Sequence, residues 1–327
     1  QMLICLDITE EVISEAIEKG IKLVVSHHPL VFKGIKNLNP TNTINRILIT
    51  AIKNDIVLYS AHTNLDKVTP GVSSALADKI GLVDQSVMVP ETGSFLKLTT
   101  FIPKDHVEPV SAALFQAGAG RVGDYDSCSY RLDGEGTFRA LEGASPHVGE
   151  LNVIHAEPET RFEAIVPRYL KSRVLRALID SHPYEEVAYD LIALENINMY
   201  EGLGIVGKLS KPMTQKEFLS YLKESLSLNC VRHTLISDQP VSTVAVCGGS
   251  GSEFLQNAKH LGAQVYVSAD FKYHQFFDAN NEILIADIGH FESEIFSLEV
   301  IKEIVTKKFP NFAVHLSKVN TNPIKYL

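Results

Sequence analysis

Four stretches of the sequence place metal-capable side chains directly after a short apolar run. They are VVSHHP with His27 and His28, VLYSAHTNLD with His62 and Asp66, VYVSADFKYH with Asp270 and His274, and LIADIGHFESE with His290 and Glu294. Imidazole and carboxylate together suit Zn, Mn, Fe, Co or Ni, and not Ca. His290 and Glu294 are four apart where a helix is predicted to start, which puts both side chains on one helical face. Even three of these histidines with two of the carboxylates exceed what one tetrahedral zinc needs. A bridging carboxylate would let them hold two divalent ions ~3.5–4 Å apart. Such a pair polarises a substrate oxygen and acidifies water, which is hydrolysis without a protein nucleophile.

Each piece also has a plainer use. One of His27 and His28 can pack while the other is solvated, since neighbours on a regular strand point to opposite faces. His62 can bond the loop backbone, and Asp66 can serve as a turn or capping residue. Asp270 is expected to be the N-cap of a helix carrying His274. Glu294 suits the first turn of a helix as an acid favoured by the dipole. What favours a site is that all of them follow strand ends. Gly248, Gly249, Ser250 and Gly251 follow a strand and open a helix, a turn that can offer N–H groups to a phosphate. Their match to phosphate-loop fingerprints is poor, and a tight packing turn is an equal expectation.

The elements that must position these residues alternate. In residues 1–90, strands at 2–7, 23–25 and 56–59 alternate with helices at 10–19, 43–53 and 70–81, and 30–42 and the AHTNLD stretch read as loops. That order implies a mostly parallel, covered sheet. Pro29 ends the second strand, so His27 and His28 sit at its carboxyl end, where open α/β sheets build sites. From about residue 95 the order changes to a strand at 96–102, a helix at 103–117, several short strands through 118–156, a strand at 162–167, a helix at 169–181 and a strand at 187–194. This α+β order resembles the ferredoxin-like split βαβ scheme and predicts an inserted module over 95–197. The α/β pattern returns with strands at 205–209, 231–236, 241–249, 264–270, 282–290 and 312–317, and helices at 215–226, 252–261 and 291–308. The expected domains are therefore 1–94 with 198–327, and 95–197.

Composition narrows the class. The chain has 327 residues, 45% of them hydrophobic, and a net charge of −9, with no basic block to follow a phosphate backbone. Nucleic acid is therefore not the expected partner. No apolar run approaches a membrane span and no signal peptide is visible, so a cytoplasmic protein is expected. The four cysteines are scattered and form no CxxC pair. The strand-like start at Met2 leads to the expectation that an N-terminal segment precedes the sequence.

VVSHHPLVFKG, SAHTNLD, VCGGSGS and DIGHFESE, with the tail NTNPI, occur in the order seen in the Nif-three-like family (NGG-one-interacting factor three), which the whole chain resembles. The resemblance implies an α/β domain of mixed sheet covered by helices, a dinuclear metal centre and a toroidal homohexamer. It carries metal ligation onto His27, His28, Asp66, His290 and Glu294, with Asp66 or Glu294 bridging two ions. Glu292 competes with Glu294, which the i,i+4 spacing favours. His62 falls beside the ligands as a proton-transfer candidate. Bacterial members are named GTP cyclohydrolase 1 type 2 homologs. That implies opening of the GTP imidazole ring by metal-bound hydroxide, with a nucleotide or phosphorylated small molecule as ligand. The alternative is a non-catalytic metal- or nucleotide-binding regulator, scaffold or carrier. SHPYEEVAYDL resembles the HPYE segment of the PII-like and CutA-like insert of such members, where His182, Tyr184 and Glu185 form a polar site or fix a loop. The family's segment like WDNxGL, which lies upstream of the SHHP motif, is not in the sequence.

Overall fold

The computed structural model describes residues 1–235 and 237–327. β1 (Met2–Cys5) is buried along its length. Thr9 caps α1 (Glu10–Glu18) by accepting the Val12 N–H, and Gly20, at φ 65°, follows its end. β2 (Leu23–Ser26), α2 (Thr43–Lys53) and β3 (Val57–Ser60) come next. The AHTNLD stretch is not all loop, because it holds the single-turn α3 (Thr63–Asp66). α4 (Val72–Ile80) closes at left-handed Gly81. β4 (Leu82–Glu91) was not expected. It is an edge strand whose residues are mostly only partly buried, so no apolar run marks it.

The chain divides into two compact units, 91–198 and the remainder. The 91–198 unit runs β5 (Phe95–Pro103), α5 (Val107–Gln116), β6 (Tyr130–Arg139), β7 (Ile154–Pro167), α6 (Lys171–Ser181) and β8 (Tyr189–Leu194). Its sheet order is β6-β7-β5-β8, antiparallel throughout, which is the ferredoxin-like arrangement. Where several short strands were expected, β6 is one long strand paired with β7 from Tyr130↔Glu163 to Arg139↔Ile154. Gly134 and Gly136 lie inside it. The helix expected over 103–117 opens instead with a 3-10 turn, Lys104–His106.

The other unit continues with β9 (Asn198–Thr214), α7 (Gln215–Ser225), β10 (Arg232–His233), β11 (Pro240–Ser250), α8 (Leu255–His260), β12 (Val265–Ala269), β13 (Leu284–Asp287), α9 (His290–Glu294), α10 (Ser297–Lys308) and β14 (Val314–Leu316). The strand expected over 231–236 is only two residues long, and Ile236 lies outside the described residues. The helix expected over 291–308 is two. At the break, Leu298 N–H bonds Ile295 C=O, a tighter i→i+3 link.

This unit holds two sheets. The first, β14-β1-β2-β3, is wholly parallel. Both of its faces are buried: Leu3 and Cys5 pack with Val12 and Ile47, while Met2, Ile4 and Leu6 pack with Leu65, Val72 and Leu298. That is why β1 reads as a continuous apolar run and not as an alternation. The second sheet has the order β10-β13-β12-β11-β9-β4, with β11, β12 and β13 parallel. Val244, Val246, Val265 and Val267 face Leu76, Phe218 and Leu222, and Ala245, Tyr266 and Ile285 face Leu255 and Phe271. Each fully buried ring contributes about 1.5–3 kcal/mol.

Candidate metal centre

The carboxyl ends of β1, β2 and β3 in one sheet, and of β11, β12 and β13 in the other, deliver the polar residues. β2 stops at Ser26, and the Ser26 hydroxyl donates to the His28 carbonyl at 2.6 Å. That short loop bends the chain, so both imidazoles turn to one side, with ring centres 4.8 Å apart. α3 follows β3 and carries Asp66, whose Oδ1 is 3.5 Å from His27 Nε2. α9 opens at Gly289, φ 94°, and puts His290 and Glu294 one turn apart.

Glu294 lies at the centre. Its Oε2 is 2.8 Å from His28 Nε2 and 3.1 Å from His290 Nε2, and these two nitrogens are 3.2 Å apart. Its Oε1 faces His27 Nε2 at 3.6 Å. One carboxylate thus faces two sets of donors, His28 with His290 and His27 with Asp66. Glu292 points elsewhere, accepting from Asn322 Nδ2 at 2.8 Å.

Each histidine of the set has its other nitrogen anchored. His27 Nδ1 lies 3.0 Å from the Ala61 carbonyl, His28 Nδ1 2.7 Å from Asp7 Oδ1, and His290 Nδ1 2.7 Å from Asp270 Oδ2. A carbonyl accepts only, so the proton of His27 is on Nδ1 and its Nε2 lone pair faces inward. Carboxylates hold the Nδ1 protons of His28 and His290, so that the Nε2 of each ring also faces inward. This is the arrangement by which metal-ligating imidazoles are oriented.

The residues present fit a metal. His27 Nε2, Asp66 Oδ1 and Glu294 Oε2 are buried and, among the described residues, have no hydrogen bond of acceptable geometry. Acceptors crowded together and out of water require a proton or a cation between them. Ligand atoms of His27, His28 and Glu294 all lie within 4.8 Å of one another.

The electrostatics agree. Burial opposes protonation of His28, but Asp7 and Glu294 outweigh it and push its pKa up to about 10. Glu294 raises His290 to about 9 against its burial, with Asp270 adding. Burial raises Asp66 to about 6, opposed by His27 and reinforced by Glu294. Burial would raise Glu294 too, but the three imidazoles hold it well below the usual carboxylate range. The field that retains protons here is also one that attracts a cation.

His62 lies beside the set, with its ring centre 5.6 Å from that of His27 and 5.7 Å from that of His28. Burial, then the charge of His27 and His28, lowers its pKa. A cavity of about 410 Å³ opens here, walled by Phe32, His62, Phe291, Ile324, His28 and His290 among others.

Two expectations are corrected. Asp270 caps no helix: the 3-10 turn that follows begins at Tyr273 with Lys272 as its cap. Asp270, held at φ 59°, orients His290 instead, while His274 is exposed and outside the cluster. The glycine turn does not offer its first amides to a phosphate, because Gly248 N–H donates to Ser73 Oγ and Gly249 N–H to Ser293 Oγ. Gly249 and Gly251 are buried, and Ser250 alone of the four is exposed. The turn packs behind Glu294.

Asp7 was missed altogether. Its signal was present, since MLICLD is a further apolar strand ending in a metal-capable residue. Its other oxygen accepts from Thr321 Oγ1 at 2.8 Å, which ties the tail motif NTNPI to the site.

A model of the Duf34/NIF3 (NGG1p interacting factor 3) family matches residues 1–323. A Bacillus subtilis (strain 168) protein named "GTP cyclohydrolase 1 type 2 homolog" is 38% identical over 332 residues, covering 100% of this chain and 89% of the relative. A Staphylococcus epidermidis protein of the same name is 37% identical over 330 residues, covering 99% and 89%. Among solved structures, a Bacillus cereus protein related to NIF3 superposes with TM-score 0.84 at 37% identity, covering 100% of this chain and 89% of the other. A Staphylococcus aureus protein gives 0.76 at 32%, covering 100% and 88%.

Proposed function

The chain belongs to the Duf34/NIF3 (NGG1p interacting factor 3) family, and from that premise we propose that it is a metal-dependent hydrolase holding two divalent ions. The observation that carries this reading is the placing of Glu294. Its two oxygens face two separate donor sets, His28 with His290 and His27 with Asp66. Those five residues would hold Zn, Fe, Mn, Co or Ni. When bound, the ions would supply Lewis-acid polarisation and acidify water.

The chain's own residues do the rest. Asp7, Asp270 and the Ala61 carbonyl keep three imidazoles in one tautomer and orientation. His62, uncharged at neutral pH, stands at the cavity wall where it can take or give a proton. Phe32 and Phe291 supply flat apolar walls suited to a heteroaromatic ring. The relatives' name points to GTP and the opening of its imidazole ring, and that is the substrate we propose to test first. From the family resemblance we also propose a toroidal homohexamer, checked by sedimentation. Among the described residues no helix is long and apolar enough to cross a membrane.

Metal content by elemental analysis tests the reading, on wild type and on a His27→Ala, His28→Ala double variant. About two ions per wild-type chain, lost in the variant, is expected. No metal in either after reloading would make the histidines structural. GTP left intact by the metal-loaded protein, while a control cyclohydrolase consumes it, would remove the GTP substrate. A regulatory or carrier role, favoured by the cavity described next, would then lead.

A further inference from the structure

The ferredoxin-like unit has its own cavity, of about 740 Å³, within the size range of small-molecule sites. It lies on the sheet face away from the helices. Ile102, Phe162 and Val166 pack into the helical core, while Phe101, Glu159 and Arg161, at alternate positions, line the cavity.

Glu159 is the feature that needs an explanation. The residue is more than nine-tenths buried, with 8% exposure. It takes one hydrogen bond, on Oε1 from the Tyr184 hydroxyl at 2.9 Å, and among the described residues no Lys, Arg or His pairs with it. The nearest candidate on its strand, Arg161, is committed to Glu163 at 2.8 Å. A buried carboxylate without a counter-charge is costly unless something supplies one. Space is kept for it as well: a Cβ at Gly136 would lie 2.1 Å from Glu159 Oε2.

The surroundings point to what fills the role. Asp133, Glu135, Glu159, Glu185 and Glu186 line the cavity with Arg139 and Arg161, and Asp133 pairs with Lys104 at 3.2 Å. Three rings gather round Tyr184. Phe138 and His147 each have their centres 6.2 Å from it, and His182 is at 5.0 Å. His182 fixes the loop. It lies 3.0 Å from the Phe101 carbonyl through Nε2 and accepts the Tyr184 N–H on Nδ1. Tyr184 is thereby held with its hydroxyl on Glu159. Aromatic faces beside a carboxylate are the chemistry that recognises an ammonium group.

We propose that this cavity binds a small organic cation, an ammonium carried on an apolar body, with Glu159 as its counter-charge and Phe138, Tyr184 and His147 as its walls. No divalent ion fits as well, since among the described residues the metal-capable grouping is His27, His28 and Glu294, in the other unit. The site makes this unit a sensor of an amine, independent of whether the metal centre turns over a nucleotide.

The test is calorimetric titration of the full chain with phenethylammonium and with 2-phenylethanol, its uncharged counterpart. The amine is expected to bind at least tenfold tighter. Glu159→Gln, which keeps the hydrogen bond and removes the charge, is expected to abolish that ratio. Phe138→Leu, which keeps an apolar wall without a ring, should lower the ratio several-fold and covers the case in which Glu159→Gln does not fold. Equal binding of the two probes overturns the proposal, as does an unchanged ratio in a variant that melts like wild type. It is also overturned if neither probe binds, and a sedimentation coefficient changed by Phe138→Leu would then make the cavity an interface between copies.

Discussion

Gly249 stands where Glu294 needs empty space: a Cβ built on it would lie 2.2 Å from Glu294 Oε1. Gly249 also has φ 65°, which costs an L-residue roughly 1–2 kcal/mol. Gly249→Ala is therefore strained twice, and Glu294 must leave its place between the histidines. Metal content is expected to fall below half of wild type, with a melting temperature lower by a few degrees. Full metal content in a folded Gly249→Ala protein would mean that Glu294 is not a ligand.

Asp7→Asn and Asp270→Asn keep the shape of the two carboxylates that orient His28 and His290, and remove their charge. Losing such a partner typically costs 10–100-fold in metal affinity. Competition titration with a chromophoric chelator should show that loss for each variant while the fold persists. Wild-type affinity in both would reduce these contacts to packing.

Much of this was legible in the sequence and part was not, for reasons particular residues show. The helix expected over 43–53 has those bounds, and Asn42 caps it by accepting the Asn45 N–H. His27, His28, Asp66, His290 and Glu294 follow strand ends, a local signal they share with His62, Asp270 and His274; the family resemblance singled them out, and the structure brings them together. What pairs across the chain was not legible. Asp270 is 20 residues from His290, and nothing between them distinguishes an orienting carboxylate from a helix cap. The long strand β6 was read as several short ones, because sequence shows the missing side chain at Gly136 and not the Glu159 carboxylate that occupies its place. The Gly248–Gly251 turn suggested phosphate for the same reason, since the hydroxyls of Ser73 and Ser293 that take its amides lie far away in the chain.

Metal affinity should rise with pH. In the metal-free protein His28 titrates at about 10 and His290 at about 9, so at pH 7 both carry protons that a metal must displace. Both folded values lie above the ordinary imidazole value. Their contribution to metal-free stability is thus full below about pH 6.5 and is lost as pH rises through 9 to 10. Affinity should climb roughly tenfold per pH unit for each proton displaced between pH 6 and 9. Calorimetry at pH 7 in buffers of different ionisation enthalpy should record the proton release. No release would contradict metal ligation by these two rings.

His62 offers the cleanest separation of chemistry from ligation. Its ring stands edge-on to those of His27, His28 and Phe32, at 5.6, 5.7 and 5.7 Å, and its Nδ1 lies 3.5 Å from Thr63 Oγ1. Burial and the neighbouring histidines lower its pKa, so at neutral pH it is an uncharged imidazole with one free lone pair. His62→Ala should leave metal content unchanged. It should lower hydrolysis of GTP, or of the substrate found in its place, by about 10²–10⁴-fold, the usual range for a lost proton-transfer group. The acidic limb of the kcat/KM profile should disappear with it. Loss of metal would instead make His62 a ligand, and unchanged turnover would leave proton transfer to water.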